Sequence, residues 1–267
     1  MILASASLPS VVLTLIAALA YAVPAAAGSR LSDRAARIAL LAAWLLHAVV
    51  LVLGLVAVPH RFGFAPSLSV TAWLVLTVYA VERQMFPQME ARLALAGLGT
   101  AAVLLALVFP GSELHVSASA WLPLHWALGI SSYGLFAAAV VHAWLMTRAE
   151  RNIRHAADPQ AGLPLLTLER LTFRFATAGF VLLSATLLAG LLFSESLYGQ
   201  AHGPRWDHKT VFSVLSWVVF ASLLLGRWRF GWRGRKAVRV LYVGSLLLLL
   251  AYAGSRFVLE VVLRRPA

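Results

Sequence analysis

Three histidine-containing places in the sequence carry side chains suited to binding a metal or a planar cofactor. One is His125, which lies between Trp121 and Trp126, another is the segment 198–209, and the third is His47 inside a long apolar run. A neutral imidazole ligates iron or another metal through one ring nitrogen while a hydrogen-bond acceptor holds the other. A neighbouring tryptophan adds a flat apolar wall for a porphyrin or quinone ring.

The segment 198–209 has an unusual composition for a connection between apolar runs. It combines glycine and proline, which favour tight turns, with His202, His208 and the pair Trp206-Asp207. Asp207 directly precedes an apolar run, where its carboxylate is well placed to accept hydrogen bonds from the free N–H groups of a helix N-terminus. We therefore expect Asp207 to be a helix N-cap.

Each histidine also has a plainer interpretation. Tryptophan at a helix end is typical of the interfacial aromatic belt, and a histidine such as His125 at the membrane surface is often simply solvated. His47 differs, because a polar group at membrane depth costs free energy unless it is paired, so we expect a functional role or an interior hydrogen bond. His142 lies about 25 Å from His125 along a helix, too far to share a small site.

The elements that must position these residues are membrane helices. Of the 267 residues, 61% are hydrophobic and 12% are charged, and the mean hydropathy is +0.84, whereas a soluble domain carries about 25% charged residues. We predict an all-α, polytopic membrane protein that forms a single integral membrane domain over residues 1–267, with membrane lipid as its surroundings. Because the chain has no cysteine, redox chemistry would require a bound cofactor or a partner.

About eight apolar segments approach the ~20 residues that a spanning helix needs. We expect the third and the seventh to be the shortest. The segments are 9–27, 38–58, 68–81, 93–109, 125–147, 171–193, 211–226 and 238–259.

The formal charge of +12 indicates topology rather than nucleic-acid binding. Most of the 22 Lys and Arg residues fall in the loops after the first, third, fifth and seventh segments, most densely over 227–239. Loops rich in Lys and Arg stay in the cytoplasm. We therefore predict a multi-pass protein of the bacterial inner (cytoplasmic) membrane, with both termini in the periplasm.

Two stretches of the chain resemble a known family. Residues 206–210 and the run after them, with Trp217 and Arg227, are similar to the end of the tryptophan-rich WWD segment of the cytochrome c assembly family, which includes CcsA- and CcmC-type haem-handling proteins. His125 followed by Ser132-Tyr133 resembles that family's periplasmic histidine. The resemblance covers roughly 70–260 and is nearest to the HemX/YpjD branch, whose basic inner loop corresponds to 231–235.

The chain also departs from the family pattern. Tyr198, Gln200 and His202 stand where the WWD segment has tryptophans, and Leu225 stands where CcsA-type proteins have a histidine. A second periplasmic histidine after the last helix has no counterpart in the sequence given.

The resemblance implies a haem-associated protein that takes part in haem handling or cytochrome c assembly and is not itself an enzyme. Its expected cofactor is haem, and its expected partners are haem and cytochrome-maturation proteins. His125 would be the first axial ligand, with His208, or alternatively His202, as the second. Trp206 would form a ring wall and Asp207 would orient the loop.

His47 is retained as a further cofactor-binding candidate, and two other functions stay open. The HemX branch implies a membrane scaffold that regulates a tetrapyrrole-synthesis enzyme through its basic inner loops. A small-molecule transporter would instead use His47 and His142 in a polar path between helices. Transport predicts broken helices and a midplane site, whereas the recognisable residues here cluster in outer loops.

Overall fold

The computed structural model describes residues 8–27, 30–56, 61–85, 92–113, 122–154, 164–192 and 207–263, and these are almost entirely helical. One two-residue antiparallel pairing joins β1 (Arg61–Phe62) to β2 (Ser112–Glu113). The helices are α1 (Leu8–Ala27), α2 (Asp33–Val56), α3 (Phe64–Met85), α4 (Arg92–Val108), α5 (Leu122–Arg154), α6 (Leu165–Leu192), α7 (His208–Phe230) and α8 (Gly234–Leu249). The prediction of an all-α polytopic membrane protein is confirmed.

Several helices are longer than the apolar segments predicted from the sequence. The third and seventh helices, expected to be the shortest, have 22 and 23 residues. When α8 is counted with its continuation to Val262, the shortest helical segment is α4, with 17 residues, and the other seven are each long and apolar enough to cross a membrane. The sequence prediction ended helices at charged residues, but the backbone continues through them: α5 extends to Arg154 and α6 begins at Leu165 instead of Leu171.

The last helix changes its hydrogen-bonding pattern beyond Leu249. A π-helical turn occupies Leu250–Gly254, an α turn occupies Ser255–Phe257, and a second π-helical turn occupies Val258–Val262. The Ser255 hydroxyl donates to the carbonyl oxygens of Ala251, at 2.5 Å, and Leu250, at 3.2 Å. Side-chain bonds of this kind satisfy carbonyl groups that an irregular helix leaves short of partners.

The described helices form two compact units. The first contains α1 to α4 and the end of the last helix from Arg256, and the second contains α5, α6, α7 and α8 up to Ser255. The predicted single domain over 1–267 and the family-like region over 70–260 stay predictions.

A polar and aromatic cluster holds the first unit together. Tyr21 of α1, fully buried, packs against Gly99 of α4, where a Cβ would lie 3.0 Å from the tyrosine ring. The indoles of Trp44 and Trp73 stack at 5.2 Å between centroids, and Trp73 Nε1 donates to the Trp44 carbonyl at 3.2 Å. The indole N–H of Trp73 is therefore paired across two helices, as polar groups between membrane helices often are.

The second unit repeats one packing motif on two helix pairs. On α5, Ser132 donates to the carbonyl of Gly179 at 3.0 Å, and Phe136, one turn later, covers the same glycine of α6. On α7, Ser216 donates to the carbonyl of Gly244 at 2.9 Å, and Phe220 covers that glycine of α8. Small residues let membrane helices approach closely.

The two phenylalanines of this motif join the helix pairs. The Phe136 and Phe220 rings lie nearly parallel, with an interplanar angle of 7° and centroids 3.7 Å apart. Both rings are fully buried. Tyr133 adds a bond from its hydroxyl to the Leu248 carbonyl at 2.5 Å, so α5 contacts both α6 and α8 through polar as well as apolar groups.

Candidate functional site

His125 lies in the first turn of α5, at the end of the helix that the charge distribution predicts to be on the outer side. Helix α5 begins at Leu122 and has Pro123 at its second position. Proline is tolerated in the first turn of a helix because the N–H groups there have no partner within the helix. The first turn of α5 therefore accommodates Pro123 and carries the imidazole of His125.

The His125 ring is held against α6. The ring has a hydrogen-bonding interaction with the backbone of Thr186, and its carbon Cε1 lies 3.5 Å from the place that a Cβ on Gly190 would occupy. These two α6 residues are one turn apart, so the imidazole lies along a single turn of that helix.

Nδ1 of His125 is buried and has no hydrogen-bond partner among the described residues. A neutral imidazole has one N–H and one lone pair, and the backbone of Thr186 hydrogen-bonds to the ring. A buried polar atom without a partner needs an explanation such as an absent ligand, and the ring of a metal-binding histidine is usually also held by a hydrogen bond.

Lys209, in the first turn of α7, adds positive charge to this site. Its ammonium group is close enough to act electrostatically on His125, and Nζ lies 5.6 Å from the centroid of the Tyr252 ring. The predicted second ligand, His208, is the first residue of α7 and is exposed. The pairing of His125 with His208 stays a prediction, and Lys209 is a site residue that the sequence reasoning missed.

Asp207 caps α7, as predicted. Its side chain accepts a hydrogen bond from the backbone N–H of Thr210 at 2.8 Å, and its own backbone is extended. The cap fixes where α7 begins and hence where His208 and Lys209 lie. The other two residues predicted for this loop, His202 and Trp206, lie outside the described residues.

Replacing Asp207 by alanine is expected to lower the free energy of unfolding by about 0.5–2 kcal/mol, because the N–H of Thr210 loses its acceptor. Thermal unfolding of the purified protein in detergent measures the effect. Asp207→Asn is the matched control, since asparagine caps helices about as well as aspartate. Equal losses in both variants would show that the carboxylate charge, and not the cap, is what matters.

His47 is a fully buried member of the first unit with both ring nitrogens engaged. Its Nδ1 lies 3.4 Å from the hydroxyl of Tyr21, and its Nε2 lies 2.9 Å from the hydroxyl of Ser69. The expected interior hydrogen bonds are present. To bind a metal, the ring would have to break one of them, so the cofactor role stays a prediction that these contacts do not favour.

His142, on the same helix as His125, is part of the core of the second unit. It is buried, its Nδ1 donates to the Ala138 carbonyl at 2.8 Å, and its ring centroid lies 5.1 Å from that of Phe175. Among the described residues, no group of three or more His, Cys, Asp or Glu side chains converges as a metal site would require. A haem needs only one or two protein ligands, because the porphyrin supplies the rest.

A second polar cluster lies at the opposite end of this unit, where α6 begins and α7 ends. Glu169 forms an ion pair with Arg227 and a second one with Arg233, whose Nε lies 3.4 Å from Glu169 Oε1. Sequence reasoning had used Arg227 and Arg233 as topology charges and as part of the family resemblance, and had not predicted their ion pairs with Glu169. It overlooked Glu169 because it started α6 at Leu171, although an acidic residue next to an apolar run was the available signal.

Comparisons with known proteins agree with the features of this chain. The sequence profile described as cytochrome c assembly protein matches residues 34–263. The inner membrane protein YpjD of Escherichia coli (strain K12) is 31% identical over 150 residues, which are 55% of this chain and 56% of that protein. An uncharacterized 28.8 kDa protein in the nifR3-like 5' region of Azospirillum brasilense is 36% identical over 146 residues, 54% of this chain and 53% of that protein.

The chain is also similar, over a shorter stretch, to a protein whose name states a role. The cytochrome c biogenesis protein CcsA of Prochlorococcus marinus is 30% identical over 90 residues, 34% of this chain and 28% of that protein. No solved structure matches the chain. The chain spans about half the length of the first two relatives. Because the profile covers most of the sequence, the chain belongs to the cytochrome c assembly protein family.

Proposed function

We propose that this protein handles haem in the inner membrane during cytochrome c biogenesis, with His125 as the axial ligand. The observation that carries the proposal is the buried Nδ1 of His125, which has no partner among the described residues, on a ring that lies against Thr186 and Gly190 of α6. Family membership supplies the class of cofactor. The inner-membrane location agrees with the name of the YpjD relative.

The described residues around His125 fit a haem group. The imidazole suits haem iron, and the Lys209 ammonium suits a propionate carboxylate. When bound, haem would supply an iron that accepts the imidazole as a ligand. His208 or His202 would supply the second ligand, Trp206 would form a wall, and Asp207 positions the helix that carries His208.

On this proposal the protein holds and passes on haem, and it does not catalyse a reaction itself. Its partners would be haem and cytochrome-maturation proteins. The scaffold and transporter functions stay predictions, and no contact among the described residues favours either. For transport, the doubly hydrogen-bonded His47 and the core position of His142 both argue for packing roles.

Titration of the purified protein with haem tests the proposal. We expect a Soret band that saturates with added haem in the unmodified protein and in His142→Gln. The same band should be lost in His125→Gln, with affinity reduced by more than the ~10–100-fold typical of substitutions outside the ligand shell. Glutamine keeps a polar side chain that can hydrogen-bond to the backbone of Thr186, so the change removes the ligand and preserves that contact. If His125→Gln gave the same Soret band as the unmodified protein, His125 would not be the axial ligand.

The orientation of the termini is a separate expected result. Helix α4 has 17 residues, about 25 Å of rise, which is slightly less than the ~30 Å hydrocarbon core. If it crosses, there are eight spans and both termini lie in the periplasm. A periplasm-dependent reporter fused after Ala267 should then be active, and one fused near Arg235 should be inactive. An inactive C-terminal fusion would mean that α4 does not cross.

A further inference from the structure

A cleft of about 750 Å³ lies in the second unit beside the first turns of α6 and the end of α7. Four arginines line it, together with one carboxylate and the Phe173 ring; the charged side chains are Arg170, Arg174, Arg227, Arg233 and Glu169. Their formal charges leave a surplus of three positive charges. A concentration of arginine around an otherwise apolar cavity is suited to an amphipathic anion.

Glu169 fixes the two arginines on one wall of the cleft. Arg227 pairs with Glu169, donates to the Trp232 carbonyl at 3.3 Å, and lies with its guanidinium carbon 4.5 Å from the centroid of the Phe173 ring. Arg233 forms an ion pair with the same Glu169 carboxylate. The guanidinium groups are therefore preorganised, which reduces the entropy that a ligand must offset.

Arg170 and Arg174 form the other wall, and their charge is not neutralised there. Both are exposed, and within the described part of the chain no carboxylate pairs with either, whereas Glu169 is already shared by Arg227 and Arg233. Arginines in this situation attract an anion from outside the protein.

The α6 surface that lines the cleft belongs to an exposed stripe of this helix. Arg170 and Arg174 follow Leu166 at one-turn spacing on a stripe of α6 that continues to Val181, and those two apolar residues are 69% and 59% exposed. An exposed apolar stripe on a membrane helix faces the acyl chains. Near the end of α7, Trp228 is 82% exposed, as expected for an aromatic residue at the level of the headgroups.

We propose that this cleft binds the headgroup of an anionic phospholipid. The four arginines would hold the phosphate, and the acyl chains would lie along Phe173 and the exposed face of α6. The positive-inside prediction places this end of the unit at the cytoplasmic leaflet, where anionic lipids attract basic residues. The open side and apolar walls favour a lipid over a soluble phosphate, which would gain nothing from Phe173. The lipid site is independent of the haem proposal, because its residues belong to the opposite end of α6.

Native mass spectrometry of the full-length protein in detergent, titrated with phosphatidylglycerol, tests the proposal. The test variant is Arg170→Gln/Arg174→Gln, and the matched control is Arg235→Gln/Arg239→Gln, which removes the same charge from exposed positions of α8 outside the cleft. We expect affinity to fall about fivefold for each arginine removed, hence about twenty-five-fold in the test variant, with little change in the control.

Three further binding measurements, with phosphatidylcholine, inorganic phosphate and haem, identify the ligand. Phosphatidylcholine and inorganic phosphate should bind weakly to all variants, and haem should not displace phosphatidylglycerol. An equal loss in the control pair, equal binding of phosphatidylcholine, saturation by inorganic phosphate, or displacement by haem would each overturn the proposal. The melting temperature without lipid, expected to be unchanged in both variants, verifies that the comparison is between folded proteins.

Discussion

Replacing Gly244 by alanine is expected to destabilise the protein by about 1–3 kcal/mol, the usual result of overpacking a filled core. A Cβ at this position would lie 2.7 Å from Cε1 of Phe220, closer than van der Waals contact allows. The Phe220 ring has no room to withdraw, because it is fully buried and stacked on Phe136. Thermal unfolding in detergent should show a drop of several degrees.

Gly129→Ala is the control for this experiment. A Cβ at Gly129 would make an ordinary contact of 3.6 Å with a methyl group of Thr186, and alanine favours a helix over glycine by about 0.8–1 kcal/mol. This variant should therefore be as stable as the unmodified protein, or more so. Equal melting of the two alanine variants would show that Phe220 moves freely and that the stacked phenylalanines do not hold the unit.

Replacing His47 by alanine is expected to cost about 2–4 kcal/mol while haem binding is retained. The cost has two sources: a fully buried ring is lost, leaving a cavity, and the hydroxyls of Tyr21 and Ser69 lose a partner. Thermal unfolding gives the stability, and haem titration well below the melting temperature gives the function.

The control for His47 is the same substitution at His208, which is exposed and should change stability by less than about 0.5 kcal/mol. If His47→Ala instead kept its stability and lost the haem spectrum, His47 would be a cofactor residue and its hydrogen bonds would be incidental.

The membrane helices were predictable because a long apolar run lies in lipid, where a helix satisfies every backbone hydrogen-bonding group within the segment. Their ends were not, because Arg148–Arg154 and residues 165–170 were predicted to lie in a connecting segment although the backbone is helical there. A helix that emerges from lipid can carry charge without ending. The π-helical turns after Leu249 had no sequence signal at all.

The sequence allowed us to predict which residues belong to the candidate site. It did not allow us to predict the contacts that surround each of them. Asp207 was identifiable as a cap because an aspartate directly before an apolar run has a known local geometry. The environment of the His125 ring includes the backbone of Thr186, 61 positions away in sequence, which no local pattern encodes. The Ser-x-x-x-Phe spacing at 132–136 recurs at 216–220, yet only the facing glycines Gly179 and Gly244 reveal it as a packing motif.

Chemical rescue of a His125→Gly variant tests the central claim most directly, because it asks whether an imidazole at this position holds haem. The variant removes the ring and leaves space beside Thr186 and Gly190 for a free imidazole. We predict that the variant alone shows no Soret band of the bound form with added haem, and that millimolar imidazole restores it with saturating dependence on imidazole. Restoration should be absent in the His142→Gly control, which should bind haem without imidazole. A His125→Gly variant that binds haem as the unmodified protein does, with no response to imidazole, would contradict the proposed haem site.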